Sequence, residues 1–497
     1  MSGLLLTALV LPGVAGVVLW LSGSGASGLR RIALGFALPQ LVVAVAILRA
    51  TARGEILVHG FGGWAPPFGI VFVADRLAAL FVVLLAVLLL ATLWALRPKV
   101  HGEEAVARSL PPLFLLVFGL NGSFLTGDLF NLFVMFEVVL LSSYLLLQVP
   151  GGERSLSAAY PNIAINLVAA LLFFIGVGLI YGATGTVNLA GIAEGIGDAD
   201  PALRTAAIAM LVVAFSVKAG LIPFLYWLPA TYPVLKGPVA ALFAGMMTKL
   251  GVYALARTLP LFMRDTPIPS ILVWVGAASS LIAVIAALSE FELRRLLGFH
   301  ITSQVGYMVL GLALLSHATI AGALFYLVHH VLVKTALFFV ADDLERTSET
   351  RDLRSMTAGA AGPAVAFAFV VAGFSLAGLP PFSGFFAKLG LLRGLFVVSE
   401  WALLGVLLVA SIFTLASMLK VWLYAFGAPA SAESTGWWSS APLLGMVALS
   451  IALAVSAGPV FAFAEATATQ LLQVDDYLAA VASVQDSRIP AGLEVLP

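Results

Sequence analysis

Apolar residues run along this chain in blocks of about 17–25, the length a helix needs to cross a hydrocarbon core of about 30 Å. Fourteen such blocks stand out, at roughly 3–22, 32–50, 76–96, 110–126, 128–148, 161–182, 205–229, 237–259, 269–288, 299–316, 319–341, 359–396, 401–426 and 441–464. The twelfth is too long for one simple span and contains Pro380 and Pro381, so it predicts a broken helix. Beyond Glu465 the stretch QLLQVDDYLAAVASV has the pattern of an amphipathic surface helix, making 465–497 a surface C-terminal segment. No linker or shift in composition divides the chain. The pattern therefore predicts one integral membrane domain over residues 1–497, an all-α membrane protein of about fourteen transmembrane helices.

Composition agrees. Hydrophobic residues make up 61% and charged residues 10%, against about 25% charged in soluble proteins. The net charge of zero gives no reason to expect a nucleic acid partner. The absence of cysteine excludes disulfides, cysteine-ligated zinc and iron–sulfur clusters. No Lys or Arg precedes Arg30, so the first block lacks the positive start of a signal peptide and is expected to be a retained span. The loops on one side of the predicted topology carry twelve Lys and Arg, among them Arg97, Arg154, Lys236, Arg294 and Arg351. Those on the other carry seven, among them Arg76, Arg257, Arg264 and Arg488. The richer side should be cytoplasmic, which places both termini on the outer face of a multi-pass protein of the cell membrane.

Several charges fall inside the apolar blocks. Glu137 lies nine residues into GDLFNLFVMFEVVLLSSYLLL counted from Asp128, about 13.5 Å deep. Lys218 and Lys249 are central in their spans, and His329, His330 and Lys334 share FYLVHHVLVKTALFFV. His330 and Lys334 are four apart and share a helix face. Lys388 follows the proline break, and Lys420 lies in the last third of its span. Single members have plain structural explanations: an ion pair between Glu137 and Lys218, hydrogen bonds between helices for the histidines, snorkelling for Lys420. The set as a whole is a costly glue, and a row of titratable groups at one depth is what a proton or cation path needs. Lysine suits it, because burial favours the neutral form and a nearby carboxylate the charged one.

AGLIPFLYWLP from Ala219 and AGLPPFSGFFAK from Ala377 echo each other and put Pro223, Pro380 and Pro381 inside spans. Paired interruptions point to a transporter repeat with its site at the breaks. The repeats are expected to be spans 4–8 (about 110–259, a first half-channel) and 9–13 (about 269–426, a second), with helices 7 and 12 broken. Aligning the prolines gives an offset of 158 residues, whereas aligning the lysine pairs Lys218/Lys249 and Lys388/Lys420 gives 170 or 171. No catalytic nucleophile, metal cluster or nucleotide loop is visible. The glycines of GATGTVNLAG are not followed by the lysine of a phosphate-binding loop. No enzyme activity, cofactor or metal is expected. A haem enzyme using His300, His317, His329 and His330 is the redox alternative.

The blocks TGDLFNLFVMFEVVLLSSYLLL, SVKAGLIPFLYWLPATYPVLKGPVAALFAGMMTKLGVYALAR, FELRRLLGFHITSQVGYMVLGL, FYLVHHVLVKTALFFV and LAGLPPFSGFFAKLGLL cover about residues 110–430. With these the chain resembles the D-type membrane protein of the Mrp-type multisubunit cation/proton antiporters. It is more distantly similar to the antiporter-like proton-pumping subunits of respiratory complex I. The resemblance implies two inverted five-helix repeats, an ion-pair element of Glu137 and Lys218, a central relay at Lys249, His329 or His330 linking the halves, and Lys388 as the exit-side lysine. It implies a subunit of a Na+ or K+/H+ antiporter that works with other membrane subunits, protons, monovalent cations and the lipid bilayer. The alternative is a proton-pumping membrane-arm subunit of a complex I-like or hydrogenase complex. Ala230, where the family tends to show aspartate, and Lys236, where a small or apolar residue is commoner, depart from its pattern. Buried carboxylates other than Glu137 are expected to be few, which favours a proton path over a sodium site.

Overall fold

The computed structural model describes residues 2–64, 66–356, 362–427 and 440–486. The order is α1 (Ser2–Leu21), α2 (Ala26–Ala52), β1 (Leu57–Gly60), β2 (Val71–Ala74), α3 (Arg76–Ala95), α4 (Pro98–His101), α5 (Glu103–Leu125), α6 (Leu129–Gln148), α7 (Gly152–Thr184), α8 (Leu189–Gly195), α9 (Pro201–Ala219) and α10 (Trp227–Thr231). Then come α11 (Gly237–Thr258), α12 (Ile268–Ser289), α13 (Leu293–Ala313), α14 (His317–Ser348), α15 (Pro363–Ala377), α16 (Ser383–Val397), α17 (Trp401–Phe426), α18 (Ala441–Val455), α19 (Ala457–Leu472) and α20 (Val474–Asp486). Several helices begin where a short polar side chain takes up a free amide. Asp75 accepts from Ala78 N, Asp128 from Asn131 N, Asn188 from Ala190 N, and Asp200 from Ala202 N and Leu203 N.

Among the described residues twelve helices are long and apolar enough to cross a membrane, and α18 with α19, bent by 79° at a short break, makes a thirteenth if taken as one span. The one expected block of the fourteen outside this count is 359–396, read from sequence as a broken helix. That block is two helices, α15 and α16, of fifteen residues each, about 22 Å apiece and too short to cross alone. The C-terminal expectation also changes. Residues 465–472 continue α19, and α20 packs on β1 and α8, burying Tyr477 and Val481, instead of laying its apolar side on lipid. The remainder of that segment, 487–497 with Arg488, lies outside the described residues.

Two breaks share one construction. Helix α9 ends at Ala219 with Gly220 at φ +70°, and α15 ends at Ala377 with Gly378 at φ +90°. Glycine takes this left-handed turn without the Cβ penalty. Amides fold back over each end: Leu221 N donates to Ser216 O, and Leu379 N to Phe374 O. A cis X–Pro bond follows at Ile222–Pro223 and at Pro380–Pro381, and the chain re-enters helix as α10 and α16.

Helices α11, α13 and α14 form the centre, with the apolar windows of α11 and α14 wholly enclosed by protein. Gly251 lets α11 lie on α9 so closely that a Cβ there would strike Ala219 N and Phe215 O. The arginine-richer loops gather on one face, around a cavity of about 910 Å³ lined by residues of the α3–α5, α6–α7, α10–α11, α12–α13 and α14–α15 connections. The α1–α2 loop joins the same face, Arg30 Nε donating to Leu93 O at 2.9 Å. The opposite face carries the antiparallel hairpin β1–β2, with four-residue strands too short to register against the surrounding hydropathy. Arg257 and Arg294, counted from sequence as loop charges, are buried in the protein and paired.

Candidate proton path

Helix α6 carries Glu137 half-buried, between the lipid-facing and the packed sides of the helix. Lys218 occupies the last turn of α9, just before the break, where it is buried. The two are electrostatic neighbours but not a contact ion pair within 4.0 Å. Lys218 Nζ donates instead to Asn166 Oδ1 on α7 at 2.9 Å. The expected ion-pair element is therefore open in this structure.

Lys249 is fully buried on α11, its ammonium turned back onto Ala244 O at 3.1 Å and Thr248 Oγ1 at 3.3 Å. Lys334, fully buried on α14, reaches Leu297 O on α13 at 3.3 Å. His330 lies one turn before it, fully buried, with no protein partner for either ring nitrogen. Lys249, Lys334, His329 and His300 all fall within its electrostatic reach. His329 Nδ1 bonds Ser383 Oγ at 2.9 Å, and Ser383 continues to Ser375 and Ser450. Lys388, on α16 after the second break, donates at 2.7 Å both to Ala377 O, the last carbonyl of α15, and to Ser411 Oγ on α17. Its ammonium also lies 5.7 Å from the centre of the Tyr307 ring. Lys420 has a different setting: it donates to Ala287 O, Leu288 O and Glu290 O at 3.3, 2.7 and 2.6 Å and so caps the C-terminus of α12.

The fold thus brings Lys249, His330, Lys334, His329 and Lys388 into one electrostatically connected group. Glu137 and Lys218 form a second, with α9 and α11 in contact between the two. Lys420 stands at the rim. Pro223, Pro380 and Pro381 sit in the turns between half-helices rather than inside helix. No hydrogen bond joins two ionisable members of the row directly among the described residues.

Sequence reasoning missed the neutral partners. Asn162 and Asn166, four apart in PNIAINLVAALLFF, were visible as amides inside an apolar run. Ser383, Ser411 and Ser417 were not, being common in membrane helices; Ser417 Oγ holds His300 Nε2 at 2.8 Å. It also missed buried carboxylates. Asp75 and Arg257 form a two-pronged pair at 2.5 and 2.7 Å, with Tyr253 and Tyr477 stacked about the guanidinium. Burial pushes the Asp75 carboxyl up, but the adjacent Arg257 charge and hydrogen bonds outweigh it and hold the group below the usual carboxylate range. At the 910 Å³ cavity Arg294 bonds Leu235 O at 2.7 Å, Asp342 at 3.1 Å and Glu345 at 2.9 Å, and His101 Nε2 lies 3.1 Å from Asp342. Buried acids are thus more numerous than expected. Asp75 is committed to Arg257, the partly buried Asp342 and Glu345 to Arg294, and Asp342 also to His101, while the buried Asp128 pairs with no cation and caps α6 through Asn131 N.

A bundle of membrane helices broken at two glycine–proline turns thus encloses a row of lysines and histidines. The chain belongs to the NADH:quinone oxidoreductase/Mrp antiporter transmembrane family, whose profile matches residues 126–414. It is 36% identical over 492 residues to the D-type Na(+)/H(+) antiporter subunit of Alkalihalophilus pseudofirmus, covering 97% of this chain and 99% of that one. A chain in the structure of the Mrp complex from Dietzia sp. superposes with a TM-score of 0.90 at 32% identity, over 97% of this chain and 99% of that chain. A chain of respiratory complex I from Thermus thermophilus shares the fold, with a TM-score of 0.80 at 23% identity over 94% and 99%.

Proposed function

We propose that this chain is a membrane subunit of a multisubunit Na+ or K+/H+ antiporter of the cell membrane, and that Glu137, Lys218, Lys249, His330, Lys334, His329 and Lys388 carry protons through it. Lys420 belongs at the mouth of the second half-channel. One observation carries the reading. Among the described residues every ion pair is made by arginine or histidine, and none by lysine. Arginine stays charged, so it suits permanent pairs; lysine can exist neutral when desolvated. Here the enclosed lysines rest on neutral oxygens, where no carboxylate fixes their charge. A path made of them needs water in its gaps, and His330, with both nitrogens unpartnered, is the kind of buried polar group that water satisfies.

The arrangement fits two inverted repeats, α5, α6, α7, α9/α10 and α11 followed by α12, α13, α14, α15/α16 and α17, in one domain spanning about fourteen times. The matched turns at Gly220 and Gly378 favour the 158-residue register. In that register Leu376 answers Lys218 and Ala230 answers Lys388, so the first half carries its lysine before the break and the second half after it. The arginine-rich face is the cytoplasmic one on this reading, with both termini outside and the 910 Å³ cavity as the inner vestibule.

The second reading is a proton-pumping membrane-arm subunit of a complex I-like or hydrogenase complex, favoured by the shared fold. Proton transport in everted vesicles holding the whole complex tests the first. Glu137→Ala, Lys218→Ala, Lys249→Ala and Lys388→Ala should each assemble and lose cation-dependent proton movement by about tenfold or more. Wild-type antiport in an assembled Lys249→Ala complex would refute the path. Proton movement that follows electron transfer and ignores added Na+ or K+ would favour the second reading.

A further inference from the structure

The side chain that holds Lys218 is itself held. Asn166 Nδ2 donates to Asn162 O and to Asn162 Oδ1, both at 2.8 Å, which fixes the amide with its oxygen toward the lysine. Asn166 Oδ1 accepts from Lys218 Nζ at 2.9 Å. The amide is 1% exposed and the lysine 5%. Pro161 precedes the pair on α7 and withholds one helical amide there. A cavity of about 10 Å³ adjoins the contact, lined by Val139, Leu140, Asn162, Asn166, Lys218 and Trp227 among others; this is close to the space one water occupies.

Resting on the proton path proposed above, we infer that Asn166 is a positioning residue that competes with Glu137 for the Lys218 ammonium. The two acceptors sit on different helices, α7 and α6, and differ in charge. A neutral amide oxygen gives an ammonium a charge-assisted hydrogen bond, and a carboxylate adds the attraction of its own charge. With Lys218 on Asn166 the lysine is out of Glu137's contact; with Lys218 on Glu137 the ion pair is closed. Asn166 gives the open arrangement a defined geometry instead of an unpartnered buried ammonium, which would be expensive. The rigid Asn162–Asn166 clasp keeps that geometry ready. The charged group that acts on Lys218 is Glu137 on α6, with Tyr144 beside Glu137; α11 gives Met247 and Leu250 to the cavity wall, and its Lys249 turns to Ala244 O. Helix α7 presents the two amides, α10 presents Trp227, whose Nε1 donates to Val217 O, and α12 contains no ionisable residue.

The test uses everted vesicles with the complete complex and reads antiport rate against pH. Lys218→Ala serves as the reference. Asn166→Leu, which removes the neutral acceptor at similar volume, should lower the rate about tenfold and displace the pH of half-maximal rate by about half a unit or more. Asn166→Asp, which offers the lysine a second carboxylate, should also slow transport while assembling normally. It covers the case in which Asn166→Leu does not assemble. A null Lys218→Ala with both Asn166 variants at wild-type rate and midpoint would overturn the role of Asn166 and leave the path intact. A lower rate with an unmoved midpoint in both variants would reduce Asn166 to packing and overturn it too. Full antiport in assembled Lys218→Ala would bring down the path itself.

Discussion

Two kinds of buried cation divide the chemistry of this interior. Arg257 is clamped by Asp75 and two tyrosines, while Lys249, Lys334 and Lys388 touch only neutral oxygens. Removing one half of the arginine pair should be costly to the fold: Asp75→Ala leaves a buried guanidinium and is expected to destabilise by about 3–5 kcal/mol. Thermal unfolding of the detergent-purified complex would measure this, and Arg257→Met should recover much of the loss. Because the folded Asp75 carboxyl lies below its unfolded value, the stability it supplies is present above about pH 4 and is lost as pH falls through the folded value. The lysines call for a different test. Lys249→Arg retains a positive charge, so a structural role predicts little change. A carrier that must give up its proton predicts an assembled complex with antiport reduced about tenfold or more. Lys420 is the corrective case. Its place in the last third of its span already set it apart, and three carbonyls at the end of α12 hold it, a contact that no one-dimensional pattern reveals.

At the scale of elements, the two breaks decide where charge is placed. Gly378 adopts φ +90°, and a Cβ there would approach Lys388 Cδ at 2.6 Å. Gly378→Ala therefore combines backbone strain of about 1–2 kcal/mol with displacement of the lysine from Ala377 O. It should impair transport more than a similar change at Gly405, where an added Cβ meets nothing within 4 Å, and the comparison can be read in the same vesicles. The echo of AGLIPF and AGLPPF was visible, and the two stretches form the same kind of break, but residue identity did not settle a register. The proline and lysine offsets disagree because Lys218 stands before its break, on α9, and Lys388 after its own, on α16. The bend between α18 and α19 and the packing of α20 were also hidden, since hydropathy measures how apolar a segment is and says nothing of which way it turns.

For the whole molecule, charge separates onto two faces, and this gives topology a clean test because the chain has no cysteine. Glu153→Cys, exposed beside the vestibule residue Arg154, and Asp265→Cys, exposed beyond the far end of α11, should react with an impermeant maleimide from opposite sides. Glu153→Cys should label in everted vesicles and Asp265→Cys in right-side-out ones. The reverse pattern would invert the orientation.

By itself the sequence determined that this is a many-span membrane protein, where its long helices lie along the chain though not their ends, which run up to ten residues from the apolar blocks at α7 and α9, and that ionisable side chains fall inside apolar helices. These follow from local quantities: the length of apolar blocks, the cost of charge in lipid and the conformational limits of glycine and proline. Tertiary structure decided which charges are committed to charged partners and which rest on neutral oxygens. It turned Lys218 to Asn166, Arg294 to Asp342 and Glu345, and Lys420 to the end of α12. Hydrogen bonds and ion pairs act over about 3 Å between residues tens to hundreds of positions apart, so only packing of the helices could select them.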